Sequence, residues 1–369
     1  MCTHVTLYQA LLAYSIFQVK VISTGKMFSK TLVRTYNSFL TQKTAFKFLS
    51  TSSSEVSVKS VPEWKSKQIA LFDKELKRQQ EAVGRIEKIK VQYRGTPEDV
   101  LLSMNKGVST PFHCAQHMSE MLTKRSALAM VDGTELWDMH RPLEKDCELQ
   151  LLHFQEPDPF QVNRAFWRTC SLLLGGVVSN AFKENIQVNL HSFPSPNVRS
   201  GSFVYDVQIP ELTDWKPTQD ELRILSADMV IMSRKDLPLQ RLAVKEDVAQ
   251  ELFSHNKFKL EQIPSILEQA PDKRVIVYRV GDHMDISRGP MVGSTQFIGR
   301  CTVASVHKIE NDNLHLYRFQ GVALPKGIFL NHFAYGVLED RARRLNSSLY
   351  SGQILTETFK PNLEEKAAN

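Results

Sequence analysis

From residue 85 onward, apolar positions recur with short periods broken by turn chemistry. Ile89, Val91 and Tyr93 alternate with polar residues, as expected of a half-buried strand, and Arg94-Gly95-Thr96-Pro97 follows as a turn. Val100-Leu101-Leu102 predicts a second strand leading to Asn105-Lys106-Gly107. Thr110-Pro111 has the form of a helix N-cap with proline at the first helical position. Cys114, Met118, Met121 and Leu122 then fall on one helical stripe. Leu128-Ala129-Met130-Val131 predicts a buried strand before an Asp132-Gly133 turn, and Cys147, Leu149 and Leu151 alternate on a last strand. Strand, strand, helix, strand, turn, strand is a β-grasp order, and we assign it to residues 85–154.

Glu156-Pro157-Asp158-Pro159 separates this module from a second one, assigned to residues 160–325. A helix from Ala165 to Ala181 is expected to be interrupted at Gly175-Gly176. Strands are expected at 186–191 and 203–209. Thr218 and Glu221 form a capping box for a helix reaching about Met232. A further helix at 245–253 and strands at 275–278, 302–309 and 315–319 complete the pattern. The fold class is α+β with antiparallel strands, since no βαβ alternation is present. Two helical extensions flank the modules. Residues 55–84 contain a charged helix over 64–80, and residues 326–369 contain an amphipathic helix over 329–345. Arg341, Arg343 and Arg344 stand near the end of the latter, where they complement the helix dipole. Neither helix has an evident apolar partner in the two modules, so both are expected to bury their stripes on an external surface.

Charge changes the picture at the N-terminus only. The formal net charge is +6, from 46 basic and 40 acidic residues. Residues 1–54 hold Lys20, Lys26, Lys30, Arg34, Lys43 and Lys47 and no acid, so the remainder is formally neutral. Bulk charge therefore gives no argument for strong nonspecific nucleic-acid binding. An acid-free, Ser/Thr-rich start is the composition of a mitochondrial presequence, with Met27 an alternative first residue. The apolar stretch from Val5 to Val21 is too interrupted for a membrane span. Cys2, Cys114, Cys147, Cys170 and Cys301 show no paired spacing, which fits free thiols in a reducing compartment.

Candidate chemistry is sparse. His113 and His117 share a helical face, but no third ligand lies nearby and no glutamate follows the first, so no metal is expected there. Arg94, Lys106, Lys124 and Arg125 are the basic positions of the β-grasp module available to RNA.

Two segments carry a family resemblance. Ala165-Phe166-Trp167-Arg168-Thr169-Cys170-Ser171-Leu172 and Asp285-Ile286-Ser287-Arg288-Gly289-Pro290-Met291 resemble the site segments of threonyl-tRNA synthetase editing domains. Gly201-Ser202-Phe203-Val204-Tyr205-Asp206-Val207, Asp236-Leu237-Pro238, Phe258-Lys259-Leu260-Glu261 and Leu316-Tyr317-Arg318-Phe319-Gln320-Gly321 follow the same order. In that family two histidines one helical turn apart, a cysteine and a third histidine form the site. Here Arg168 and Leu172, Ser287, and Met291 stand at those four positions. An arginine cannot act as a base, a leucine has no lone pair, a serine is a poor ligand without activation, and a thioether accepts only weakly. The resemblance implies that Lys259 keeps a pocket-lining position. It also implies a small ubiquitin-like (TGS) domain over the β-grasp module and no aminoacylation domain.

The domain order also resembles a family of mitochondrial large-subunit ribosomal proteins. That resemblance implies a catalytically inactive structural component of the mitochondrial large ribosomal subunit, resident in the matrix. Its partners would be ribosomal proteins, with ribosomal RNA possible, and no cofactor, metal, membrane or small-molecule substrate. Two alternatives belong to other classes: a freestanding trans-editing aminoacyl-tRNA deacylase, and a non-ribosomal RNA-binding module. If the old site is idle, Arg168→His, Leu172→His, Ser287→Cys and Met291→His are expected to leave assembly almost unchanged, provided the core tolerates them.

Overall fold

A computed structural model describes residues 62–311 and 314–348. The expected presequence at 1–54 lies outside them. The β-grasp module holds β1 (Lys88–Tyr93), β2 (Val100–Asn105), β3 (Leu128–Val131), β4 (Glu135–Trp137) and β5 (Cys147–Leu152) in the order β2-β1-β5-β3-β4. Its one parallel pairing is β1 with β5. Two short helices, α2 (Pro111–Met118) and α3 (Glu120–Arg125), cover the sheet. Ile89, Val91 and Tyr93 from β1 bury with Cys114, Leu122 and Leu149, as their alternation requires.

The expected stripe on one continuous helix is corrected here. Ser119 leaves helical geometry and caps α3 by accepting from the Leu122 amide at 3.1 Å. The break rotates Met121 outward, where it is 66% exposed.

The second module opens with α4 (Phe160–Ala181), whose residues from Ala165 to Val178 are all buried. It lies against a four-stranded antiparallel sheet ordered β11-β12-β7-β6, built from β6 (Asn189–Ser192), β7 (Phe203–Gln208), β11 (Ile298–Asn311) and β12 (Leu314–Pro325). A three-stranded sheet, β10-β9-β8, holds β8 (Gln240–Val244), β9 (Val275–Val280) and β10 (His283–Ile286). Three helices complete the module: α5 (Gln219–Arg234), α6 (Glu246–Leu252) and α7 (Lys257–Gln269). The Thr218/Glu221 capping box that opens α5 is present, with Glu221 Oε2 accepting from the Thr218 amide at 2.7 Å.

Gly175 and Gly176 do not interrupt α4, contrary to expectation. A Cβ on Gly175 would lie 2.6 Å from the Tyr205 ring, and one on Gly176 2.9 Å from the His283 ring. The pair lets the helix approach these two buried side chains, and their contact offsets the weak helix propensity of glycine.

The end helices also differ from expectation, because both have partners inside the chain. α1 (Glu63–Glu81) buries Phe72 completely among Leu242, Val244, Leu252, Val275 and Val277. Gln68 donates to the Leu252 carbonyl at 3.0 Å, and Lys65 pairs with Asp282 at 2.5 Å. α8 (His332–Ala342), shorter than the expected 329–345, packs Tyr335 and Ala342 against Ala304 and Val322 of the long hairpin. The partners of α1 are remote in sequence, while α8 folds back onto the hairpin that immediately precedes it; periodicity within a helix reveals neither.

Candidate functional site

The positions that correspond to the synthetase editing site, expected here to be without hydrolytic chemistry, meet around α4, β7, α7 and the segment after β10. Each does structural work instead. Arg168 is 9% exposed and donates to the Pro290 carbonyl at 3.0 Å. Burial pulls its guanidinium below the usual value. Leu172 and Met291 are buried in the central apolar cluster with Phe166, Trp167 and Leu173. Ser287 is half-buried, and its hydroxyl accepts weakly from the Gly289 amide at 3.4 Å.

Lys259 has become half of a buried ion pair. It meets Asp285 at 2.5 Å and donates to the Tyr205 hydroxyl at 3.4 Å. Asp285 also accepts from Tyr205 and, at 2.7 Å, from the Ile286 amide. Burial, with Asp285 facing it, holds the Tyr205 hydroxyl well above its usual range. Tyr205 is therefore a donor and not a base. The carboxylate, the amine and the phenol satisfy one another, and no group of the three is left to activate water.

A second buried carboxylate joins this region to the β-grasp module, and sequence reasoning did not find it. Asp138 accepts from the Tyr278 hydroxyl at 2.9 Å and from the Met291 amide at 2.8 Å. Arg241 stands 3.7 Å away. Desolvation raises the Asp138 carboxyl above its usual range. Thr169 accepts from the Val292 amide at 3.1 Å, and the Gly293 amide donates to the Ala127 carbonyl at 3.3 Å. The segment that would hold a reactive cysteine and histidine is thus stitched to α4 on one side and to the β-grasp module on the other. Asp138 and Tyr278 lie 140 residues apart, so no local pattern signals the contact.

This packing bears on the proviso that the core must tolerate a restored site. Leu172→His and Met291→His would each place an imidazole in the apolar core, at a cost of a few kcal/mol per unsatisfied polar group. The four-fold substitution is therefore expected to weaken the fold itself.

Two native histidines show how the interior treats that ring. His191 and His283 are buried, and desolvation pulls each down to about 4. An unfolded imidazole titrates near 6.5, so folding favours the neutral form. The stability this contributes is fully present above about pH 6.5 and is lost as pH falls towards about 4. The urea midpoint of the isolated protein is expected to drop between about pH 7.5 and about pH 5. His283→Met, which lacks the titrating ring, should shallow that drop. A midpoint that does not change with pH would contradict the assignment.

The other candidates are placed as follows. His113 and His117 are exposed, and His113 Nδ1 accepts from the Thr110 amide as part of the α2 cap. Among the described residues no group of three or more His, Cys, Asp or Glu side chains is placed to hold a metal ion. Cys114 and Cys301 are buried, and burial pushes both thiols up to about 12. Arg94 is paired with Asp99 at 2.7 Å and with Glu148 at 3.5 Å, Lys106 with Glu87 at 2.8 Å, and Lys124 with Glu120 at 2.6 Å. Arg125 donates to the Thr96 hydroxyl at 2.8 Å, while its Nε is buried without a partner. The first three are thus already matched by carboxylates.

Comparison with known proteins fits this geometry. The TGS domain family matches residues 93–153. The chain is 54% identical over 276 residues to a large ribosomal subunit protein, mL39, of Drosophila melanogaster, covering 74% of this chain and 82% of the relative. It is 30% identical over 262 residues to a threonine–tRNA ligase of Thermotoga petrophila, covering 70% of this chain but 37% of the ligase. With the human cytoplasmic threonine–tRNA ligase 2 it shares 28% identity over 221 residues, which is 25% of that enzyme.

Proposed function

Because the chain belongs to the mL39 family of large ribosomal subunit proteins, we propose that it is a structural component of the mitochondrial large ribosomal subunit. It works in the mitochondrial matrix, supports translation there, and is not an enzyme. The observation that carries the mechanism is the filling of the editing-like site. Leu172 and Met291 complete the core, Arg168 ties the Ser287–Met291 segment to α4, and Lys259 neutralises Asp285. A frame that supports hydrolysis in a synthetase is here closed into a rigid body. Its partners are other ribosomal proteins.

The trans-editing alternative is tested directly. Purified protein is expected to hydrolyse seryl-tRNA no faster than buffer alone and to carry no stoichiometric zinc, because no ligand set for the metal is placed among the described residues. Multiple turnover by the unmodified protein would reinstate the enzyme reading.

Contact with ribosomal RNA is the finer part of the proposal. It would fall on the basic positions of the β-grasp module, above all the exposed Lys124 and the half-buried Arg125 at the end of α3. Their charges are local, so binding there should weaken with salt by a logarithmic slope of about one for each phosphate they neutralise. Filter binding of ribosomal RNA by Lys124→Glu/Arg125→Glu is expected to show both weaker binding and a smaller salt slope. Identical titrations for variant and parent would move the RNA contact elsewhere.

A further inference from the structure

The outward face of α8 is apolar and has no cover among the described residues. Phe329 is 91% exposed, Phe333 82%, Val337 53% and Leu330 40%. Phe333 and Val337 lie one turn apart on the helix, with Phe329 one turn earlier in the segment that leads into it. Tyr335, Leu338 and Ala342 point the other way and pack on the hairpin, so the exposed stripe is not available to the core. A surface this apolar, gathered in one place, marks an interaction site.

Gly336 says what kind of partner fits. It stands beside the Phe333–Val337 row, in the neighbouring row with His332 and Asp340, where glycine is unfavourable relative to alanine. Gly175 and Gly176 in α4 are explained by the Tyr205 and His283 rings that press on them. Gly336 has nothing within 4 Å of where a Cβ would stand, so nothing in the described protein requires it. Its omission of a side chain makes room for something outside. Charge narrows the choice further. From Lys326 to Asp340 the ionisable side chains other than Tyr335 are Lys326, His332, Glu339 and Asp340, and the exposed Asp340 shares the outward side of the helix with Phe333 and Val337. Such a face offers little to a phosphate backbone and much to an apolar one.

We infer that this face of α8 is a docking site for an amphipathic helix of a neighbouring protein in the ribosomal subunit, whose backbone crosses at Gly336 beside the Phe333–Val337 row. The inference rests on the ribosomal reading above and adds the surface and the class of partner. Side-chain rows spaced by four residues form a groove into which a second helix packs its own ridge, and glycine at the crossing lets the two backbones approach.

The test uses the full-length chain expressed in mitochondria, with the fraction that sediments with the large subunit as readout. Phe333→Glu should lower that fraction about tenfold or more, as loss of a central aromatic anchor does. Gly336→Leu separates docking from folding. It should raise the melting temperature of the isolated protein by about 2 °C through better helix propensity, yet lower incorporation. A photo-crosslinking residue at Phe333 should join the chain to a ribosomal protein within isolated large subunits. Normal incorporation of both variants, or a crosslink to RNA instead of protein, would overturn the docking site while leaving the ribosomal reading in place. Absence of the unmodified chain from large subunits would remove both.

Discussion

Arg318→Ala is expected to destabilise the protein by about 3–5 kcal/mol, the scale for stripping one partner from a buried ion pair. Asp206 on β7 and Arg318 on β12 face each other in register at the centre of the four-stranded sheet, 0% and 2% exposed. The guanidinium grips the carboxylate with two parallel bonds of 2.8 and 2.7 Å. Its remaining nitrogen donates to the carbonyls of Asn346 and Ser348 at 2.6 and 2.8 Å. One side chain therefore holds both the sheet centre and the segment that follows α8. Alanine would leave a buried carboxylate uncompensated and two carbonyls without a donor. Arg318→Lys should recover only part of the loss, since an ammonium cannot reproduce the planar fork. Urea unfolding measures this, and an alanine variant within about 1 kcal/mol of the parent would refute the pair's importance.

Lys259→Met is expected to cost a similar amount, about 3–5 kcal/mol, by leaving Asp285 buried with no cation. Asp285→Asn removes the charge and still accepts from Ile286. The double variant Lys259→Met/Asp285→Asn should be more stable than the sum of the two singles predicts, with a coupling of about 2 kcal/mol or more. Additive losses would mean that the pair is not the unit described here.

Much of the β-grasp module can be read from its sequence because the signals are local. Ile89, Val91 and Tyr93 alternate, and Thr110 with Pro111 announces a capped helix start. The cap at Thr218 is equally plain. β12 is harder, since nine of its twelve residues are buried and no alternation marks its length. β8 and β10 give no clear signal for a related reason: each is a short strand made stable by β9 rather than by its own pattern. The glycine pair misleads because glycine weakens an isolated helix, whereas here Tyr205 and His283 supply the contact that α4 makes at that point.

The site is legible by residue and illegible by role. Arg168, Leu172, Ser287 and Met291 can be identified as unfit for hydrolysis from their side-chain chemistry alone. What they do instead depends on distant partners: Pro290 for Arg168, the central core for Leu172, and Asp138 for the Met291 amide. Loss of catalysis and gain of a structural part are visible together only in three dimensions. The same applies to the end helices, whose inner faces prove to be covered and of which only α8 keeps a broad apolar face outward.

The central claim is that this synthetase-like body serves as a part of the mitochondrial large ribosomal subunit. A sucrose gradient of mitochondrial extract, probed for this chain, tests it most directly. The chain should sediment with large-subunit RNA and stay with it when magnesium is lowered to separate the subunits. A chain that remains at the top of the gradient, while intact large subunits sediment without it, would contradict the claim.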